Sequence, residues 1–292
     1  MGARSLKTLL DRRSPVIAPG VADTLAALAA DRAGFEAIFV SGSAVAQVHL
    51  GRPDIGLTDA TLLTDVTRRI VERVGIPVCA DIDTGFGNAF NVYQTVRAMN
   101  LAGAACVQME DQQTVKPSDR ALERPVIPLA DMLTKLRAAQ DARGDSELLI
   151  SARTDARYTE GVDSAFERAA AYAEAGADLV FVEGLRDAAE RAALRDALPA
   201  ETPRVFNTAI LKQPDAESVS MVAGEGYRLI LAPTRVTAAA VGSITRSLAE
   251  LADRCPEGSV QAAIAEPTSD VSTVIGAADH LQRAKQWELT HE

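Results

Sequence analysis

Cysteine, histidine and aromatic residues are all scarce in this 292-residue chain. The three cysteines, Cys79, Cys106 and Cys255, lie far apart and have none of the paired spacing of a zinc site or a disulfide framework. That usage points to a reducing, cytoplasmic home, and Cys79 and Cys106, set in apolar strand-like runs, read as small core residues. His49, His280 and His291 are equally scattered, which argues against a histidine-built metal centre or triad. Aromatics make up only 4%, too few for a nucleobase-stacking platform, and 40 acidic against 30 basic residues give a net charge of −10 that repels a phosphate backbone. A nucleic-acid partner is therefore not expected. No apolar run reaches transmembrane length, and the segments around Arg4, Lys7, Arg12 and Arg13 are too short and interrupted for a signal peptide, so no membrane partner is expected either.

What is present is a repeating pattern. Eight short β-rich segments, each followed by an Ala/Leu-rich segment of helical period, are read at Val16–Pro19, Ala37–Val40, Val78–Asp81, Cys106–Glu110, Leu148–Arg153, Leu179–Glu183, Arg204–Asn207 and Leu229–Leu231. Amphipathic helices are predicted at Asp23–Ala33, Ala89–Ala102, Ala130–Ala142 and Asp163–Ala175, and Gly34, Gly103 and Gly176 supply left-handed caps after three of these. Strand and helix alternating eight times, without a linker, fit one closed (β/α)8 barrel better than an open doubly wound sheet. The whole chain, 1–292, is read as that one domain. Thr237–Asp253 reads as the last barrel helix, Pro256 breaks it, and 256–292 is a helical extension that packs either on a neighbouring subunit or on its own barrel.

In such a barrel the chemistry sits where strands end. Those places hold Ser41-Gly42-Ser43, Asp81-Ile82-Asp83, Glu110-Asp111-Gln112, Arg153-Thr154-Asp155, Glu183 and Asn207. Asp81 and Asp83 are two apart, so if the strand persists both carboxylates share a face, and Glu110 ends the adjacent strand. Three converging carboxylates need a cation, and an all-oxygen set suits Mg2+ or Mn2+. The alternative is a set of surface acids capping helices. Gly85 and Gly87 permit a sharp turn beside a ligand. Ser41 to Ser43 form either a turn that holds a carboxylate or an ordinary serine-capped helix start. Arg153 closes an apolar run and must find an anion, a substrate carboxylate or Glu183.

Taken together, Ser41-Gly42-Ser43, Gly51-Arg52-Pro53-Asp54, Asp81 to Asn88, Glu110-Asp111-Gln112, Ala152-Arg153-Thr154-Asp155-Ala156 and Ala175-Gly176-Ala177-Asp178 resemble the isocitrate lyase and phosphoenolpyruvate mutase superfamily over roughly Pro19 to Pro233. The resemblance implies a metal-dependent enzyme acting on small 2-oxo or 2-hydroxy acids, usually a homotetramer with the C-terminal helix exchanged between barrels. It implies that Asp81, Asp83 and Glu110 hold Mg2+ directly or through water, and that Asp54 supports that shell. Ser41, Gly42, Ser43 and Arg153 would then grip the substrate, with Glu183 and Asn207 completing the pocket.

One departure stands out. Lyases of the family carry a Lys-x-Cys-Gly-His-like motif on the loop after the Glu-Asp-Gln run, whereas here Lys116 and Ser118 fall on its lysine and cysteine and the glycine and histidine positions differ. A hydroxyl is a far weaker acid than a thiol, whose pKa is about 8.5, which puts ordinary isocitrate or methylisocitrate cleavage in doubt. Phosphoenolpyruvate mutase-type or phosphonopyruvate hydrolase-type chemistry, or oxaloacetate decarboxylase-like activity, would not need that cysteine. Glu183 points back towards carbon-carbon lyases, because the phosphonopyruvate branch tends to place histidine there. The leading expectation is a Mg2+-dependent carbon-carbon lyase working through an enolate, with Arg153, Lys116, Ser118 and Glu183 as catalytic candidates. A folate-dependent hydroxymethyltransferase and a barrel kept only as a scaffold are the remaining rivals.

Overall fold

A computed structural model describes residues 5–12, 14–113, 124–185, 187–211 and 216–253, together with the single positions 274, 279 and 282. Eight parallel strands close into a barrel in sequence order: β1 (Val16–Val21), β2 (Ile38–Val40), β3 (Val78–Asp81), β4 (Cys106–Glu110), β5 (Leu149–Thr154), β6 (Leu179–Val182), β7 (Arg204–Asn207) and β8 (Leu229–Ala232), with β8 pairing back onto β1. All eight expected strands are present, with ends displaced by a residue or two. The first runs beyond Pro19 through Gly20, where a Cβ would lie 2.1 Å from the carbonyl oxygen of Pro233, so only glycine allows β1 and the end of β8 to approach.

The helices, in chain order, are α1 (Leu6–Leu10), α2 (Thr24–Arg32), α3 (Gly42–Val45), α4 (Ala60–Val71), α5 (Ala89–Leu101), α6 (Leu129–Arg143), α7 (Val162–Glu174), α8 (Ala188–Ala197), α9 (Ala216–Gly224) and α10 (Arg235–Asp253). Gly34, Gly103 and Gly176 have the positive φ expected of them. Two short pieces carry no periodicity to read. One is α1, started by Ser5 Oγ accepting from the Thr8 amide; the other is a π-helical turn, Ala46–Leu50, that prolongs α3 until Gly51 ends it. Among the described residues no helix is long and apolar enough to cross a membrane. Cys255 and the segment 256–292, apart from the three single positions, lie outside the described residues.

Two-residue alternation along the strands sorts the core into two shells. Ile38, Val40, Val78, Ala80, Val107, Ile150, Ala152, Val180 and Val182 pack outward under the helices. Phe39, Cys79, Cys106, Leu149, Phe181, Val205 and Leu229 fill the barrel, and α1 lays Leu6, Leu9 and Leu10 against them as a floor. Cys79 and Cys106 are register partners, buried and unbridged, as core residues should be. The same parity decides what lines the mouth. Counting by twos from Cys79, Cys106, Leu149, Phe181 and Val205 reaches Asp81, Glu110, Arg153, Glu183 and Asn207, so the apolar floor itself aims the polar strand ends inward.

Candidate active site

Arg153 is the hub of the mouth. Its side chain is 12% exposed, forks onto Asp155 (Nε to Oδ2 3.0 Å, Nη2 to Oδ1 2.9 Å), lies 3.3 Å from Glu110 Oε2 and 3.8 Å from Glu183 Oε2, and sits 5.2 Å over the Phe181 ring. Glu110 is its register partner on β4. Burial alone would lower the guanidinium's pKa, but the charges of Asp155, Glu110 and Glu183 outweigh that and hold it well above the ordinary value. Arg153 thus remains a fixed cation under any condition the protein survives. Glu183 is held from the other side by Asn207 Nδ2 at 3.1 Å, while Asn207 Oδ1 accepts from the Ala209 amide. The arginine had been expected to meet Glu183 or a substrate; its principal partner is Asp155.

Asp81 stands at the end of β3, which pairs with the Glu110 strand β4, and Asp83 follows it by two residues. The strand does not persist through both: β3 ends at Asp81, and Asp83 adopts a left-handed backbone with φ 45°. Their convergence therefore arises from a turn, not from strand parity. The Asp83 amide donates to Asp81 Oδ1 (3.0 Å), the Glu110 amide donates to the Asp83 carbonyl (2.8 Å), and Thr58 Oγ1 donates to Asp83 Oδ2 (2.9 Å). Both carboxylates close on Gly42, where an added Cβ would lie 3.2 Å from Asp81 Oδ2 and 3.6 Å from Asp83 Oδ1. Asp83 and Phe86 (φ 61°) are the two non-glycine residues with positive φ among the described residues, at a cost of about 1–2 kcal/mol each. The strain is gathered in one loop beside the two carboxylates.

Ser41 to Ser43 are tied into the fold around them. Ser41 Oγ caps α3 by accepting from the Ala44 amide, the Gly42 amide donates to Asp81 Oδ2 at 3.3 Å, and Ser43 Oγ accepts from Gln47. Asp54 is exposed on the 51–59 loop, and the hydroxyl that reaches the carboxylates from that loop is that of Thr58. Lys116 and Ser118 lie outside the described residues.

Several contributors went unread in the sequence. Arg124 Nη1 donates to Asp155 Oδ1 at 2.7 Å and its guanidinium covers the Tyr158 ring at 4.8 Å. Gly184 (φ 88°) lets Tyr158 lie against the backbone next to Glu183, since a Cβ there would sit 2.9 Å from the phenol oxygen. Beneath the mouth Asp111, wholly buried, accepts from Thr154 Oγ1, Tyr172 Oη, Arg168 Nη1 and the Asp155 amide. Burial raises its pKa despite those donors. Asp111 and Asp155 stood inside quoted motifs, and the signal that could have singled out Asp155 is its two-residue spacing from Arg153.

The donor set fits a hard divalent cation. Asp81, Asp83, Glu110, Asp155 and Glu183 give the mouth an all-oxygen set of carboxylates, the chemistry that a hard divalent cation takes. Among the described residues no three His, Cys, Asp or Glu side chains stand close enough to share one ion. Glu110 is paired with Arg153 while Asp81 and Asp83 converge on Gly42. One or two carboxylates with several waters is the usual Mg2+ arrangement, so the Asp81–Asp83 pair meets the requirement.

Comparison with known proteins identifies the family of the chain. The family model described as phosphoenolpyruvate phosphomutase matches residues 6–252. A 2,3-dimethylmalate lyase of Eubacterium barkeri is 38% identical over 236 residues, 80% of each chain, and a 2-methylisocitrate lyase of Aeropyrum pernix is 38% identical over 85% of this chain and 79% of its own. Among solved structures, oxaloacetate acetylhydrolase in complex with the product oxalate superposes with a TM-score of 0.87 at 28% identity, covering 98% of both chains. A phosphonopyruvate hydrolase complex with oxalate and Mg2+ gives a TM-score of 0.81 at 28% identity, covering 96% of this chain and 95% of the other. By its fold, its strand-end residues and this kinship, the chain belongs to the phosphoenolpyruvate mutase and isocitrate lyase superfamily, as an enzyme of its carbon-carbon lyase type.

Proposed function

We propose that this enzyme is a Mg2+-dependent lyase that breaks the carbon-carbon bond beside a carboxylate in a small 2-hydroxy or 2-oxo acid, through an enolate. The observation that carries the reading is the meeting at one barrel mouth of a fixed cation, Arg153 at the end of β5, and two carboxylates, Asp81 and Asp83, that converge beside Gly42. An acidic substrate fits only between two positive centres, one supplied by the chain and one by an ion.

Bound Mg2+ would act as a Lewis acid on carboxylate and carbonyl oxygens. Asp81 and Asp83 would hold it directly and Glu110 through water. Arg153 stabilises negative charge as it develops on the substrate, and loss of one such buried donor commonly costs about 10²–10³ in rate. Glu183, held by Asn207, would take the proton of a 2-hydroxyl. As that proton leaves, the C2–O bond becomes a carbonyl, the C2–C3 bond breaks, and its electron pair passes into the carboxylate on C3. A 2-oxo acid departs, and a proton returned to C3 completes the second product. Ser118 and Lys116 are the candidates for that return, on the sequence alone.

The lyase relatives at 38% identity favour a malate-type 2-hydroxy acid as the substrate. The serine at 118 favours a second reading, hydrolysis or decarboxylation of a 2-oxo acid such as oxaloacetate, and phosphonate chemistry is the further alternative. Purified protein with Mg2+ and a panel of 2-hydroxy and 2-oxo di- and tricarboxylates distinguishes them. Release of a 2-oxo acid from a hydroxy acid supports the lyase; oxalate or CO2 from oxaloacetate supports the second reading. Loss of the carbon-bonded phosphorus NMR signal from phosphonopyruvate supports the third. We place the protein as a homotetramer, for which the support is the row of exposed Val241, Ile244, Leu248 and Leu251 along α10.

A further inference from the structure

Four of the five residues from Asp83 to Gly87 have positive φ: Asp83 45°, Gly85 81°, Phe86 61° and Gly87 146°. A segment so far from ordinary backbone preferences keeps its shape only where contacts over-determine it. Its first half is tied by backbone at two points, the Gly85 amide to the Ile82 carbonyl at 2.8 Å and the Glu110 amide to the Asp83 carbonyl at 2.8 Å. The peptide between those ties is held from outside. Lys135 on α6, 51 residues away in sequence, donates from Nζ to the Thr84 carbonyl at 2.9 Å.

That lysine is out of place by ordinary packing rules. It is 7% exposed among the helix's buried residues Met132, Leu136 and Ala139, and its partner is a neutral carbonyl. Burial pulls its pKa below the usual lysine value, with Asp131 one turn earlier opposing. A methionine would fill the same space without a buried ammonium. The charge is retained where its single hydrogen bond meets the peptide that follows Asp83, and Asp83 is one of the two carboxylates that close on Gly42.

We propose that Lys135 is a positioning residue for the divalent-metal site: by fixing the Thr84 carbonyl it holds Asp83 in its left-handed turn, with the carboxylate beside that of Asp81. This inference rests on the metal reading of the Asp81–Asp83 pair given above. Lys135 touches neither substrate nor ion, and acts only through the loop.

The test uses the full-length protein, the Lys135→Met, Lys135→Gln and Lys135→Arg variants, and two readouts independent of turnover: free Mn2+ titrated by electron paramagnetic resonance, and hydrogen exchange of the amides of residues 83–88 in metal-free protein. Lys135→Met should bind Mn2+ about 10–100-fold more weakly, the usual range for loss of an outer-sphere partner. Its 83–88 amides should exchange faster while the thermal midpoint stays at or above that of the wild type. Lys135→Arg should recover part of the affinity; Lys135→Gln serves if the methionine variant does not fold. Unchanged affinity and unchanged exchange overturn the proposal, as does a loss of affinity that merely parallels a general loss of stability. If wild-type protein shows no Mn2+ site that Asp81→Ala removes, the metal reading fails, and the exchange of 83–88 alone then decides whether Lys135 holds the loop.

Discussion

Arg153 and Asp155, two residues apart at the end of β5, form a two-pronged ion pair in which Nε donates to Oδ2 at 3.0 Å and Nη2 to Oδ1 at 2.9 Å. Arg124 closes on the same carboxylate at 2.7 Å, so one wholly buried acid orders two guanidiniums. Asp155→Asn removes the charge that both depend on and leaves Arg153 buried without its main counter-ion. The variant should lose about 3–5 kcal/mol of stability, measured by urea unfolding at neutral pH.

The same pair sets a pH dependence with a definite sign. Burial would raise the Asp155 pKa, but Arg153 and Arg124 prevail and lower it. A carboxylate with a folded pKa below its unfolded value of about 3.9 stabilises the protein above that pH and loses its contribution as pH falls through the folded value. The stability gap between wild type and Asp155→Asn should therefore be constant from pH 7 to about 5 and narrow below about 4. A gap that widens on acidification would reverse the assignment.

Arg153→Lys keeps a positive charge and loses the planar fork. kcat/KM should fall about 10²–10³-fold, while Mn2+ affinity, which rests on Asp81 and Asp83, should stay within a few-fold of wild type. Equal losses in both would mean that Arg153 shapes the metal site rather than the reacting substrate.

Gly42→Ala probes the other half of the mouth. The new methyl would stand 3.2 Å from Asp81 Oδ2, close enough that the carboxylate must give by a few tenths of an ångström. Divalent-metal affinity should drop about tenfold or more with little change in the unfolding midpoint. Isothermal titration with Mn2+ reads the first and calorimetry the second.

The barrel was legible because each strand is an apolar run and glycines with positive φ follow α2, α5 and α7. Strand parity then carried Asp81, Glu110, Arg153, Glu183 and Asn207 to one mouth, since each lies an even count from a core residue. Asp83 reached the same place by another route, a left-handed turn that no two-residue pattern encodes. Thr58, Arg124 and Lys135 were illegible for a related reason. They act across 25, 31 and 51 residues of sequence, and nothing in their own neighbourhood marks the partner. Of the two readings of Ser41, the structure shows the capping hydrogen bond from the Ala44 amide, while its place in substrate binding belongs to the proposed function.

The most direct test of the account is a crystal structure of the protein with Mn2+ and oxalate, the ion located by its anomalous signal. The account predicts the ion within about 2.0–2.3 Å of an oxygen of Asp81 or Asp83, with oxalate bound to it and turned towards Arg153. An ion found elsewhere, or oxalate held away from both the aspartates and Arg153, would contradict it.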